Sequence, residues 1–214
     1  MSDALWQQAR GDLGLRTGGA IVDLTVWEHS ARVAKLAEMV CGLPELADRV
    51  LERTALRAAA LYHEAGWVLQ VEAGQVRQLE VLLRRTSDQQ RELAAAWITK
   101  RLASILAPGA TQLAARIIRE YPDRQSKLPE AQVLAEAEAL DEFGLQAIWL
   151  MVRRQIAEGR TLADMVELWR RQEEYGYWPA RIKETLRFSA TRVLAEERWQ
   201  AMARFMADQR FLCA

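Results

Sequence analysis

The chain has little of most things that would mark a specialised class of protein. Cysteine occurs only as Cys41 and Cys213, with no C-x-x-C spacing, so neither a disulfide framework nor a zinc finger is signalled and a reducing compartment is expected. Net charge is lacking as well. The 29 Lys+Arg balance 29 Asp+Glu, which removes the simplest electrostatic argument for nucleic acid or an anionic membrane as the main partner. No segment approaches the roughly 18 apolar residues of a membrane span. The opening MSDALWQQARGDLG has no apolar core ahead of a cleavage site, so the expectation is a soluble, cytoplasmic protein. Internal repeats, low-complexity tracts and sustained heptads are missing too, which excludes solenoid and coiled-coil architectures.

Alternating β-branched residues are also scarce, confined to the short AIVDLTV stretch, whereas Ala, Leu, Glu, Arg and Gln dominate. The composition therefore predicts an all-α fold of about eight helices. Their breaks fall at GDLGLRTGGA, CGLPE, EAGQ, RRTSD, LAPGAT, EYPDRQSKLPE, EGRT and YGYWPA, where Gly, Pro, Asp or Ser ends or caps a helix. None of these is long enough for a linker. The 214 residues are 50% hydrophobic, enough to bury a core, so one domain over 1–214 is the expectation. The stretch from Pro179 to Phe211 reads as one or two amphipathic helices whose arginines are interleaved with Glu184, Glu196 and Glu197, a solvated face rather than a nucleic-acid surface.

Histidine is as scarce as cysteine, and its two positions carry the chemistry. The stretch HEAGW opens like the zinc-protease motif H-E-x-x-H, but Trp67 stands where the second histidine is required. Neither a Rossmann glycine pattern nor a phosphate loop is present, and no G-x-S-x-G elbow supports a serine nucleophile. On helical spacing, His29 shares a stripe with Val33, Leu36 and Val40, and His63 shares one with Leu56, Ala59, Ala60 and Trp67. Asp141 falls in line with Leu134, Ala137, Leu145 and Ile148, with Glu138 one turn before it. Both histidines and Asp141 should therefore point inward. Singly, an inward histidine is more often a hydrogen-bonded core residue and an inward aspartate a cap or staple. A buried aspartate nevertheless costs several kcal/mol without a partner, and one metal site would account for all three residues.

The same positions resemble the HD superfamily of metal-dependent phosphohydrolases, in its small single-domain bacterial form. EHSARVAKLA is similar to that family's first element, with His29 and Arg32; AALYHEAGW to its His-Asp element; and AEAEALDEFGLQAIWLMVRR to its distal-acid element. The tail FSATRVLAEERWQAMARFMADQ is similar to the closing helix, so the resemblance covers roughly 20–210. Both histidines of the chain land in the two histidine slots.

The resemblance implies a divalent ion (Mn, Fe, Co, Ni, Zn or Mg) held by His29, His63, Glu64 and either Asp141 or Glu138, and hydrolysis of a small phosphate ester such as a nucleotide by an activated water. Arg32 would grip the phosphate or orient a ligand, and Trp67 and Tyr121 would border the substrate. The alternative is a degenerate HD domain that binds a ligand or partner without turnover.

Three departures from the family pattern feed that alternative. Glu64 replaces the usual aspartate, Trp67 stands where many members carry lysine, and Tyr121 stands where many carry a further histidine. Neighbouring residues in a regular helix point about 100° apart, so His63 and Glu64 can share an ion only if the helix ends or distorts, as Gly66 suggests. Glutamate reaches further than aspartate, so it would bind only if the backbone retreats or the ion shifts, and would otherwise act as a base beyond the ligands. On that footing, restoring aspartate should raise metal occupancy.

Overall fold

In the computed structural model, which describes residues 2–210, helix α1 (Ser2–Asp12) leads into a small hairpin, β1 (Leu15–Thr17) and β2 (Ala20–Asp23). The hairpin turns through Gly18 and Gly19, both at positive φ (58° and 86°), the geometry of a two-residue turn that matches strand twist. All other regular structure among the described residues is helical, in keeping with the all-α expectation. The α-helices are α2 (Thr25–Val40), α3 (Arg53–Tyr62), α4 (Ala65–Glu72), α5 (Asp88–Arg101), α6 (Pro108–Glu120), α7 (Pro129–Asp141), α8 (Leu145–Ala157), α9 (Leu162–Glu174), α10 (Tyr177–Thr185) and α11 (Ser189–Arg210).

The described residues thus hold eleven α-helices where composition suggested about eight. The additional ones arise from interruptions at 63–64, 142–144 and 186–188. The first is foreshadowed by Gly66, and the third falls in the tail that reads as one or two helices; only the second lies in a stretch that reads as continuous. The second interrupts the stripe drawn through Asp141: Leu134, Ala137, Asp141 and, beyond the break, Ile148 are buried, but Leu145 is 66% exposed. Cys213 lies outside the described residues. Cys41 is a buried free thiol. No described helix is long and apolar enough to cross a membrane.

The chain divides into two units, one up to Ala137 and one from Glu138 onwards. In the first, α2 packs on α3, α3 on α6, and α5 on both α4 and α6. Its core is built of Val33, Leu56, Ala59, Ile98, Ile117 and Leu134, each at most 2% exposed. Burying a side chain of the larger kind contributes about 1.5–3 kcal/mol. Polar ties fix the helix ends. Glu52 caps α3 by accepting from Thr54 N and Ala55 N (3.2 and 2.5 Å), while its own N–H donates to Glu130 in the first turn of α7 (2.8 Å). At the other end of α3, Tyr62 donates to Asp12 (2.8 Å), which also accepts from Arg101 at the end of α5 (2.6 and 2.9 Å).

The second unit packs α8, α9, α10 and α11 together around Trp169, Trp178, Met202 and Met206, with the Trp169 and Trp178 rings 5.0 Å apart.

Candidate metal centre

His29 lies on the inner stripe of α2 and His63 directly after the last residue of α3, and both are buried. Packing of α2 on α3 brings their rings to 5.2 Å between centroids. The interruption at 63–64 resolves the angular conflict between two adjacent ligands. α3 stops at Tyr62, Glu64 adopts φ −100°, ψ 7°, and α4 restarts at Ala65, so Glu64 is no longer bound to the helical 100° step. Gly66 permits the restart, since a Cβ there would lie 2.1 Å from the carbonyl oxygen of Gln90 on α5. The close approach of α4 to α5 therefore requires glycine.

The His63 tautomer follows from its partner. Nδ1 lies 2.8 Å from the carbonyl oxygen of Ala60, which can only accept, so Nδ1 carries the proton. In the neutral ring Nε2 then carries the lone pair. Nε2 is 3.7 Å from Glu64 Oε1. The other carboxylate oxygen, Oε2, accepts from the Thr86 hydroxyl, which in turn accepts from the Trp67 indole N–H at 2.9 Å. Tyr121, closing α6, sets its ring edge-on to His63 at 5.8 Å.

One ligand atom each from His29, His63, Glu64 and Glu138 lie within 4.8 Å of one another. Glu138 comes from α7, whose earlier turns belong to the first unit. Opposed ligands of one ion with bonds of about 2.0–2.3 Å are at most about 4.6 Å apart, so a small contraction would seat an ion. Two imidazoles and two carboxylates suit a divalent transition metal or magnesium. The donor set and its spacing fit the metal that the resemblance implies.

Of the two acids left open on α7, it is Glu138 that joins this group. Asp141 is buried too, and its negative charge partly offsets the burial that lowers the Arg198 guanidinium's pKa. Arg32 is half-buried one turn beyond His29 on α2. Trp67 is fully enclosed, its N–H directed to Thr86 and the Arg84 guanidinium 5.5 Å above its ring. Sequence reasoning missed Thr86 and the Ala60 carbonyl. Thr86 sits in RRTSD, which reads only as a helix start, and a backbone acceptor leaves no trace in residue identity.

The HD domain family model matches residues 26–142, more than half of the chain, and the chain belongs to that family. No curated protein matches it. Among solved structures it is similar to Bacillus subtilis YpgQ, at 19% identity and TM-score 0.60 over 97% of this chain and 92% of that one. The same protein in complex with ADP gives 18% and 0.59, over 97% and 95%. A predicted HD superfamily hydrolase from an uncultured Thermotogales bacterium gives 17% and 0.57, over 98% and 90%. These likenesses establish the shared fold.

Proposed function

We propose that the protein is a metal-dependent phosphohydrolase acting on a small phosphate ester, with His29, His63, Glu64 and Glu138 as the metal ligands and 1–214 working as one HD-like domain. The observation that carries the reading is the convergence of these four donors, with the His63 proton held at Nδ1 by Ala60. A divalent ion bound there supplies Lewis acidity for phosphoryl transfer to water. The protein's own groups do the rest. Ala60 holds His63 in the tautomer whose Nε2 carries the lone pair that a metal ligand must present. Glu64 and Glu138 bring two negative charges that offset an ion's charge. Arg32, half-buried beside His29, is the candidate to pair with a phosphate through its planar fork. Tyr121 walls one side of His63.

A neighbour of the same fold in complex with ADP makes nucleotides the first substrates to test. The experiment is phosphate release from nucleoside mono-, di- and triphosphates and p-nitrophenyl phosphate, by protein stripped with EDTA and reloaded with Mn²⁺, Co²⁺, Ni²⁺, Zn²⁺ or Mg²⁺. Turnover restored by one ion and abolished by EDTA is expected. Stoichiometric metal without turnover on any ester would point to the degenerate binding module instead, and no metal uptake would overturn the site itself.

A further inference from the structure

Glu64 uses its two carboxylate oxygens differently. Oε1 faces His63 Nε2 at 3.7 Å, while Oε2 accepts from the Thr86 hydroxyl. That hydroxyl is not free to turn elsewhere, because its lone pair receives the Trp67 indole N–H at 2.9 Å and both residues are buried. With Trp67 donating into it, the hydroxyl's own hydrogen is directed at Glu64.

The backbone of Thr86 is fixed as well. Its carbonyl oxygen accepts from Arg91, and the next residue, Ser87, caps α5 in a reciprocal box with Gln90 (Gln90 N to Ser87 Oγ 3.3 Å, Ser87 N to Gln90 Oε1 2.8 Å). Gln90 then donates to Gln70 on α4 at 2.9 Å, and the Gln90 backbone abuts Gly66. The start of α5 is thus locked onto α4, and Thr86 with it.

We infer that Thr86, clamped by Trp67, is a positioning residue that fixes which oxygen of Glu64 faces the histidines, and that this bracket adapts the site to glutamate in place of the aspartate usual at this point. The inference rests on the metal reading above. It gives Trp67 a role on the ligand's far side, in place of contact with substrate. An aspartate is shorter by one carbon–carbon bond, about 1.5 Å, and cannot reach Thr86 and an ion together from the same backbone. Glu64→Asp should therefore weaken metal binding, the reverse of what the sequence alone suggests.

The test is calorimetric titration of the EDTA-stripped full chain with Mn²⁺, for wild type, Thr86→Val, Thr86→Ser and Glu64→Asp. Orienting partners of this kind are commonly worth about tenfold to a hundredfold in affinity, so Thr86→Val should weaken Mn²⁺ binding at least about tenfold while Thr86→Ser, which restores the hydroxyl, stays near wild type. Glu64→Asp should weaken it too. Should Thr86→Val be unfolded in EDTA, Trp67→Phe, which removes the indole N–H together with part of the ring, carries the same comparison in a folded protein. Equal Mn²⁺ affinity in wild type and in the folded variant overturns the bracket and leaves the metal site standing. A wild type that takes up no Mn²⁺ overturns both.

Discussion

Replacing Glu138 and Asp141 separately decides which acid of α7 serves the site. Suppose Mn²⁺ is added at a thousand times its dissociation constant; the native state then gains about 4.1 kcal/mol by mass action. Glu138→Gln removes one of four converging donors and should weaken binding about a hundredfold, leaving about 1.4 kcal/mol of that gain. The difference, about 2.7 kcal/mol, corresponds to about 5–10 °C of melting temperature for a chain of this size. On the proposed assignment Asp141 is not a ligand, and its charge acts on Arg198. Asp141→Asn should therefore cost about 1–3 kcal/mol, the same with Mn²⁺ as with EDTA. Calorimetric melts of the three proteins in Mn²⁺ and in EDTA give the answer. If Asp141→Asn loses the Mn²⁺-dependent rise while Glu138→Gln keeps it, the ligand assignment is wrong.

Three further outcomes test the frame around the site. Burial, and then the Asp12 carboxylate, raise the Tyr62 pKa above its unfolded value near 10, so the folded state holds this proton more tightly. Its stabilisation is complete below about pH 10 and is lost as pH rises beyond it; urea unfolding between pH 8 and 11 should show that loss, and Tyr62→Phe should flatten it. Gly66→Ala would drive a Cβ to 2.1 Å from Gln90 O and should cost about 3 kcal/mol or more in denaturant unfolding; a near-neutral result would mean that α4 and α5 separate easily. Burial also raises the Cys41 thiol pKa, so native protein at pH 7.5 should leave Cys41 unlabelled by iodoacetamide, as peptide mapping would report.

What the sequence made legible follows from the reach of each signal. Period-3.6 stripes report which way a side chain faces, and they found His29, His63 and Asp141 buried. They report nothing about register between helices. Glu138 and Asp141, three residues apart, are nearly equivalent by spacing, and only the placement of α7 separates them. On that stripe only Leu145 is misplaced, because it opens α8 directly after the break at 142–144. The resemblance supplied what periodicity could not: it joined three separated stretches into one site before any helix was placed.

Glu64 shows the remaining limit most clearly. Compared only with the aspartate expected there, the longer side chain counts as damage, and damage argues for a domain that has lost its chemistry. Its surroundings change that reading. The helix ends one residue before His63 and restarts one residue after Glu64, and Thr86 stands where the second carboxylate oxygen arrives. Thr86 is there because Ser87 begins α5 and because Gly66 lets α5 lie against α4. Trp67, a second departure, supplies the donor that orients Thr86. Two substitutions that count separately against an intact site are thus linked through a third residue that no motif contains. Departures coupled in this way are expected of a site rebuilt around a longer carboxylate, whereas independent decay would leave Glu64 and Trp67 with unrelated partners.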